Sequence, residues 1–176
     1  MNFEKFTSSF QTALQAAQTL AQEKSHAAID TAHVLTTMLG DLDSSVPALL
    51  RYTGVDVAKI KAAVKSSLDD LPVVASASPM LSSDLVQLLQ RAQKHATDYG
   101  DSYVASEMLL VALLDSSSRH SLKKTFNAIG LNDKTLMAAI ESIRKGRNVD
   151  NPNSENNREA LKKYTVDLTE RAKSGK

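Results

Sequence analysis

Three features of this 176-residue sequence predict an all-α fold made of two pseudo-symmetric four-helix repeats. First, the chain repeats itself. Shifted by 75 positions, Leu81–Leu114 falls onto Phe6–Leu39, with Phe10 on Leu85, Leu14 on Leu89, Ala17-Gln18 on Ala92-Gln93, Val34-Leu35 on Leu109-Leu110 and Met38-Leu39 on Leu113-Leu114. After a one-residue insertion the shift becomes 76, and Gly54 meets Gly130, Ile60 meets Leu136, and Ala62-Ala63-Val64 meets Ala138-Ala139-Ile140. A register held over about 60 residues marks a duplicated structural unit. Second, apolar residues recur at helical spacing in both copies. Third, cap and stop residues recur at matching places. Two copies are too few for a solenoid, so the repeats (about 6–70 and 81–146, together a domain over 1–146) are expected to pack as a pair about a pseudo-dyad.

Helix one is predicted over about Thr7–Lys24, with the Thr7 hydroxyl as N-cap and Phe6, Phe10, Ala13, Leu14, Ala17 and Ala21 on one stripe. Helix two, about Thr31–Leu39, follows Asp30 and buries Val34, Leu35, Met38 and Leu39. Helix three, about Ser45–Tyr52, tolerates Pro47 in its first turn and stops at Gly54. Helix four, about Val57–Leu68, starts behind Asp56 and buries Ile60, Val64 and Leu68. Leu71–Pro79 reads as a linker from its two prolines and its small Ala75-Ser76-Ala77-Ser78 run. The plan then repeats: helix five about Ser83–Tyr99 behind Ser82, helix six about Ser106–Leu114, helix seven about Ser118–Ile129 ending at Gly130, and helix eight about Asp133–Lys145 behind Asn132. Arg147–Asn157 is rich in Asn and nearly devoid of apolar residues, so residues 147–157 are expected to be a mobile linker. Arg158–Ala172 is predicted to be an amphipathic helix, with Leu161, Tyr164, Leu168 and Ala172 on one face and no core of its own to join.

Composition narrows the function classes. Hydrophobic residues make up 42% and charged residues 23%, which is ordinary for a globular protein. Lys and Arg number 21 against 20 Asp and Glu, so nothing electrostatic points to nucleic acid or an anionic membrane as partner. The absence of cysteine excludes disulfides, thiol catalysis and cysteine metal sites. No apolar run approaches the roughly 20 residues of a membrane span, and Met1–Lys5 lacks the start of a signal peptide, so a cytoplasmic protein is expected. His26, His33, His95 and His120 form no metal-binding spacing, and there is no Gly-x-Ser-x-Gly elbow. Gly175-Lys176 lacks the earlier glycine of a phosphate-binding loop, because Glu170 stands at that position. No catalytic, cofactor or metal site is therefore expected in this chain.

The paired repeats, the polar linker and the run Ala160-Leu161-Lys162-Lys163-Tyr164-Thr165-Val166-Asp167-Leu168-Thr169-Glu170-Arg171-Ala172 together resemble the start of the ClpB-type AAA+ disaggregases. The resemblance implies a Clp repeat N-terminal domain, a linker, and in 158–176 the start of a first ATPase domain that this chain does not contain. It implies a hexameric parent that uses ATP and magnesium to thread aggregated polypeptides and works with a cooperating chaperone system, while this fragment itself is not an enzyme. It further implies that the domain binds unfolded or aggregated client polypeptides in a groove beside the second repeat. An adaptor-docking role, as in ClpA- and ClpC-type unfoldases, is the alternative.

Three polar positions are implied as functional by the same resemblance: Thr7, Asp101 and Glu107. Each also has a structural reading, Thr7 as a helix cap, Asp101 as a turn residue after Gly100, and Glu107 as a carboxylate favoured in the first turn of a helix. Asp101 faces His26 and Glu107 faces Ala32 in the repeat alignment, so symmetric packing does not require either carboxylate. Val86 is apolar where the first copy has Gln11, and Met108 stands opposite His33, which makes both candidates for an exposed, adaptable client surface. Arg91 and His95 stand where the resemblance leads one to expect leucine-like groove residues, opposite Ala16 and Leu20. They would give the groove a basic rim suited to clients rich in apolar and acidic residues.

Overall fold

Short side chains that accept a hydrogen bond from a free first-turn amide set the starts of the helices. Thr7 Oγ1 accepts from Phe10 N at 3.2 Å, and its repeat mate Ser82 Oγ accepts from Leu85 N at 3.1 Å. The computed structural model describes residues 2–41, 44–75 and 78–155. Among these the elements are a 3-10 turn (Phe3–Lys5), α1 (Ser8–Glu23), β1 (Ala28–Ile29), α2 (Thr31–Gly40), α3 (Ser45–Thr53), α4 (Val57–Asp69), β2 (Met80–Leu81), α5 (Ser83–Tyr99), α6 (Glu107–Leu114), α7 (Ser121–Ile129) and α8 (Asp133–Arg144). The expected helix at Arg158–Ala172 lies outside the described residues. The one displaced start is α7, which begins at Ser121 because His120 Nδ1, and not a residue near Ser118, accepts the first-turn amide of Leu122 at 3.1 Å. That restores the register: His120 caps α7 where Ser44 caps α3, 76 positions earlier. The two copies also stop alike, at Gly54 and Gly130, whose φ of 84° and 108° only glycine adopts without strain.

The repeats do not lie side by side as separate bundles. The short strands β1 and β2 pair in parallel, Ala28 with Met80 and Ile29 with Leu81, and a parallel bridge joins Phe6 to Val104. These are one contact used twice. Adding 75 to Ile29 gives Val104, and adding 75 to Phe6 gives Leu81. The bonds match, with Thr7 N donating to Val104 O at 3.0 Å and Ser82 N donating to Ile29 O at 2.9 Å. Each repeat thus threads its entry segment beside the other's second helix, with β2 following directly on the stretch 71–79 that reads as a linker, within which Val73 makes an antiparallel bridge to His26. Further out α3 packs on α8 and α4 on α7, again across the dyad. The shared core holds Phe6, Phe10, Leu35, Leu50, Ile60, Leu85, Leu89 and Phe126, and the Phe6 and Phe10 rings meet edge to face at 4.8 Å. α6 lies at its centre: every residue from Glu107 to Leu114 is buried, as expected of a helix that is apolar on nearly all sides.

Residues 147–155 depart from the expectation of a mobile linker. They run back across the domain as a strap, with Val149 and Glu155 buried. The physical reason lies in the hydrogen bonds, which supply what the apolar content of this stretch cannot.

Candidate functional site

The polar residues implied by the resemblance are brought together, but inside the domain and not at the edge of a groove. Thr7 is fully buried. Besides capping α1, its hydroxyl donates to Glu155 Oε2 at 2.8 Å. The same oxygen accepts from Ser106 N at 3.1 Å, and Glu155 Oε1 accepts from Ser45 Oγ. One carboxylate therefore meets the N-terminal ends of α1, α3 and α6, where unpaired amides favour negative charge. Burial, and then the nearby charge of Glu107, raise the pKa of Glu155 above the usual carboxylate range.

Next to it is an ion cluster. Arg144, 4% exposed, donates from Nη1 to both oxygens of Asp101 at 3.0 and 2.8 Å, and from Nε and Nη2 to Glu107 Oε1 at 3.2 and 3.1 Å. Its guanidinium lies 5.3 Å from the centre of the Tyr99 ring. Asp101 Oδ1 also accepts from Val149 N at 3.0 Å, which ties the cluster to the strap. Sequence reasoning missed Arg144 and Glu155. Arg144 had a signal, since Leu136 and Ile140 lead to it at helical spacing and an Arg continuing an apolar stripe needs a buried partner. Glu155 had none within its run of Asn and Ser.

The residues expected to line a groove on the second repeat fare differently. Met108 is fully buried in the core, which corrects its reading as an exposed surface residue: α6 is surrounded, so its start has no solvent face. Val86 is half-buried. Arg91 and His95 are also half-buried and are engaged at home, Arg91 Nη2 donating to Ser117 Oγ at 2.7 Å and His95 Nε2 meeting Asp115 Oδ2 at 2.7 Å. Lys123 Nζ adds a bond to Asp115 O at 2.7 Å. Bonds from the Ser117 amide, and then His95, hold the Asp115 carboxyl down at about 2.

The equivalent place on the first repeat is open. Ala16, Leu20 and Gly40 stand where the second repeat has Arg91, His95 and Asp115, and Ala13 stands where it has Leu88. A depression of about 330 Å³ lies there, lined by Ala13, Ala16, Met38 and Gly40 together with the polar Ser9, Thr12, Thr37, Asp41 and Ser44. Among the described residues no group of three or more His, Asp or Glu side chains is placed to hold a metal ion, and no helix is long and apolar enough to cross a membrane.

A histidine pair makes stability depend on pH. Asp30 N donates to His33 Nδ1 at 2.9 Å, so the proton on His33 lies at Nε2 and points to His26 Nδ1, 2.7 Å away. Burial, and then His26, lower the pKa of His33, and burial lowers that of His120. The unfolded chain therefore binds more protons once pH falls below about 6.5, and stability present above that pH is lost as it falls. The raised pKa of Glu155 acts in the opposite sense. In a Glu155→Gln background the urea midpoint should then fall between about pH 7.5 and pH 5, and a flat or rising midpoint would remove the histidines as its cause.

A family model described as the Clp repeat (R) N-terminal domain matches residues 5–129. Among curated relatives, a chaperone protein ClpB of Pseudomonas putida is 36% identical over 178 residues, which is 100% of this chain and 21% of that protein. A chaperone protein ClpB of Vibrio cholerae is 39% identical over 179 residues, covering 100% of this chain and 20% of that protein. The chain thus spans about one fifth of the length of the curated relatives it matches. Among solved structures, the Hsp104 N-terminal domain from Candida albicans superposes with a TM-score of 0.74 at 21% identity, covering 86% of this chain and 99% of that one. A ClpV N-domain in complex with a VipB peptide gives 0.68 at 25% identity, covering 82% and 89%.

Proposed function

This chain belongs to the Clp repeat N-terminal domain family, and on that premise we propose that it captures exposed apolar segments of unfolded or aggregated polypeptides for an ATP-driven disaggregase. It is a binding domain and not itself an enzyme. ATP and magnesium serve the parent's ATPase domains, the parent works in the cytoplasm as a hexamer, and a cooperating chaperone system engages it through other domains. The observation that carries the reading is the alignment of the whole chain with ClpB chaperones. The client surface we assign is the depression on the first repeat, with half-buried Val86, Arg91 and His95 as a lesser candidate face on the second. An open surface that mixes small apolar side chains with hydroxyls and a single carboxylate suits a site that accepts many sequences weakly.

The test is Ala16→Arg, which places in the first repeat the side chain that fills the equivalent space in the second. Ala16 is exposed, so stability should stay within about 0.5 kcal/mol of the parent. Affinity for a permanently unfolded model protein should fall about tenfold, or 1.4 kcal/mol. Unchanged affinity would take the client surface off the first repeat, and a loss in Val86→Ser instead would move it to the second. A second reading, docking of one fixed partner segment, is favoured by the peptide complex of the related ClpV domain. Saturable binding of one short motif, with no affinity for unrelated unfolded proteins, would select it.

A further inference from the structure

The strap is held at its two ends. At the first, Ser102 N and Tyr103 N donate to Val149 O at 2.8 and 3.2 Å while Val149 N donates to Asp101. At the second, Ser8 N donates to Pro152 O at 2.9 Å, Ser8 Oγ donates to Asn153 Oδ1 at 3.1 Å, and Glu155 joins Thr7, Ser45 and Ser106. Between them Asp150 and Asn151 are exposed. Val149 is the one buried apolar side chain that 147–155 contributes. A segment with many directional bonds and little apolar burial opens locally at far less cost than the domain unfolds. The carboxylate at its end is also poorly matched: it is buried, its partners are neutral hydroxyls and one amide, and Glu107 lies close by.

We propose that residues 147–155 are a releasable latch, with Thr7, Ser45, Ser106 and the Asp101–Arg144–Glu107 cluster as its catch. Closed, the latch holds Glu155 at the N-terminal ends of α1, α3 and α6. Open, it becomes a nine-residue polar tether with a mean span of about 16 Å, and the domain is free to reorient on whatever follows. Thr7, Asp101 and Glu107 then act by setting how rigidly the domain is carried, without touching a client. The proposal stands whether or not the domain binds unfolded polypeptides, because its readouts involve no client.

Amide hydrogen exchange on the whole chain tests it. The amides of Ser8, Ser102, Ser106 and Val149 should exchange together, about tenfold or more faster than that of Leu89 in the core of α5. Glu155→Ala should speed Ser8 and Ser106 about tenfold further and leave Leu89 unchanged. Because the chain has no cysteine, Ser8→Cys with Asn153→Cys can be joined by a disulfide, and that lock should slow the strap amides toward the rate of Leu89. Exchange of the strap amides at the Leu89 rate in the unmodified chain would overturn the proposal, since the strap would then open only when the domain unfolds. Equal acceleration of all amides by Glu155→Ala, with no effect of the disulfide, would also overturn it and leave Glu155 a stabilising group of the fold.

Discussion

Replacing Arg144 with methionine should destabilise the domain by about 3–5 kcal/mol, because it leaves two carboxylates buried without a cation. The side chains concerned are nearly sealed from water: Arg144 is 4% exposed and Glu107 3%, and the Asp101 carboxylate is 0% exposed. The guanidinium makes four bonds to them, all lost on substitution. For a domain of this size the loss corresponds to a fall in Tm of roughly 10 °C. Arg144→Lys should recover only part of it, because an ammonium cannot present a fork to two carboxylates at once. Adding Asp101→Asn and Glu107→Gln to Arg144→Met should recover much of the loss, since the uncompensated charge is then gone. A Tm within about 2 °C of the parent for Arg144→Met would mean that the cluster is solvated in solution and contributes little. The result bears on function as well. A loss of activity after substitution at Asp101 or Glu107 is therefore to be set beside the melt of the same variant, since a weakened fold would produce it without any contact with a client.

Met108→Ser is the second large effect, and it contradicts the expectation drawn from sequence. A surface methionine would tolerate the change with a loss of client affinity. Met108 is fully buried in the central helix, so truncation should cost about 2–5 kcal/mol, with the stranded serine hydroxyl adding to it. Client affinity per folded molecule should stay near that of the parent. Thermal melts and titration of an unfolded protein on the same variant separate the two cases. A stable variant with weakened binding would return Met108 to the client surface.

The pattern of what could be read from the sequence is physical. Helix starts at Ser8, Thr31, Ser45, Val57, Ser83 and Asp133 were legible because a cap and its amide lie within three residues of each other. The pseudo-dyad was legible because duplicated apolar positions impose the same stripe twice. The burial of Met108 was half-legible: Met-Leu-Leu-Val-Ala-Leu-Leu is apolar all round and so belongs at the centre of the core, a reading that outweighs the flexibility of methionine. By itself, then, the sequence determined the helices, their order and their duplication, all of which rest on local contacts. Tertiary structure alone decided the crossed pairing of Ile29 with Leu81 and Phe6 with Val104, the closing of the second repeat's cleft by Arg91 and His95, and the docking of Glu155 on Thr7, Ser45 and Ser106. Those contacts join residues 20 to 148 positions apart, and apart from Arg91 and His95 on α5 they lie in polar or two-residue segments that carry no periodicity, so the distant partner leaves no mark on the residues around it.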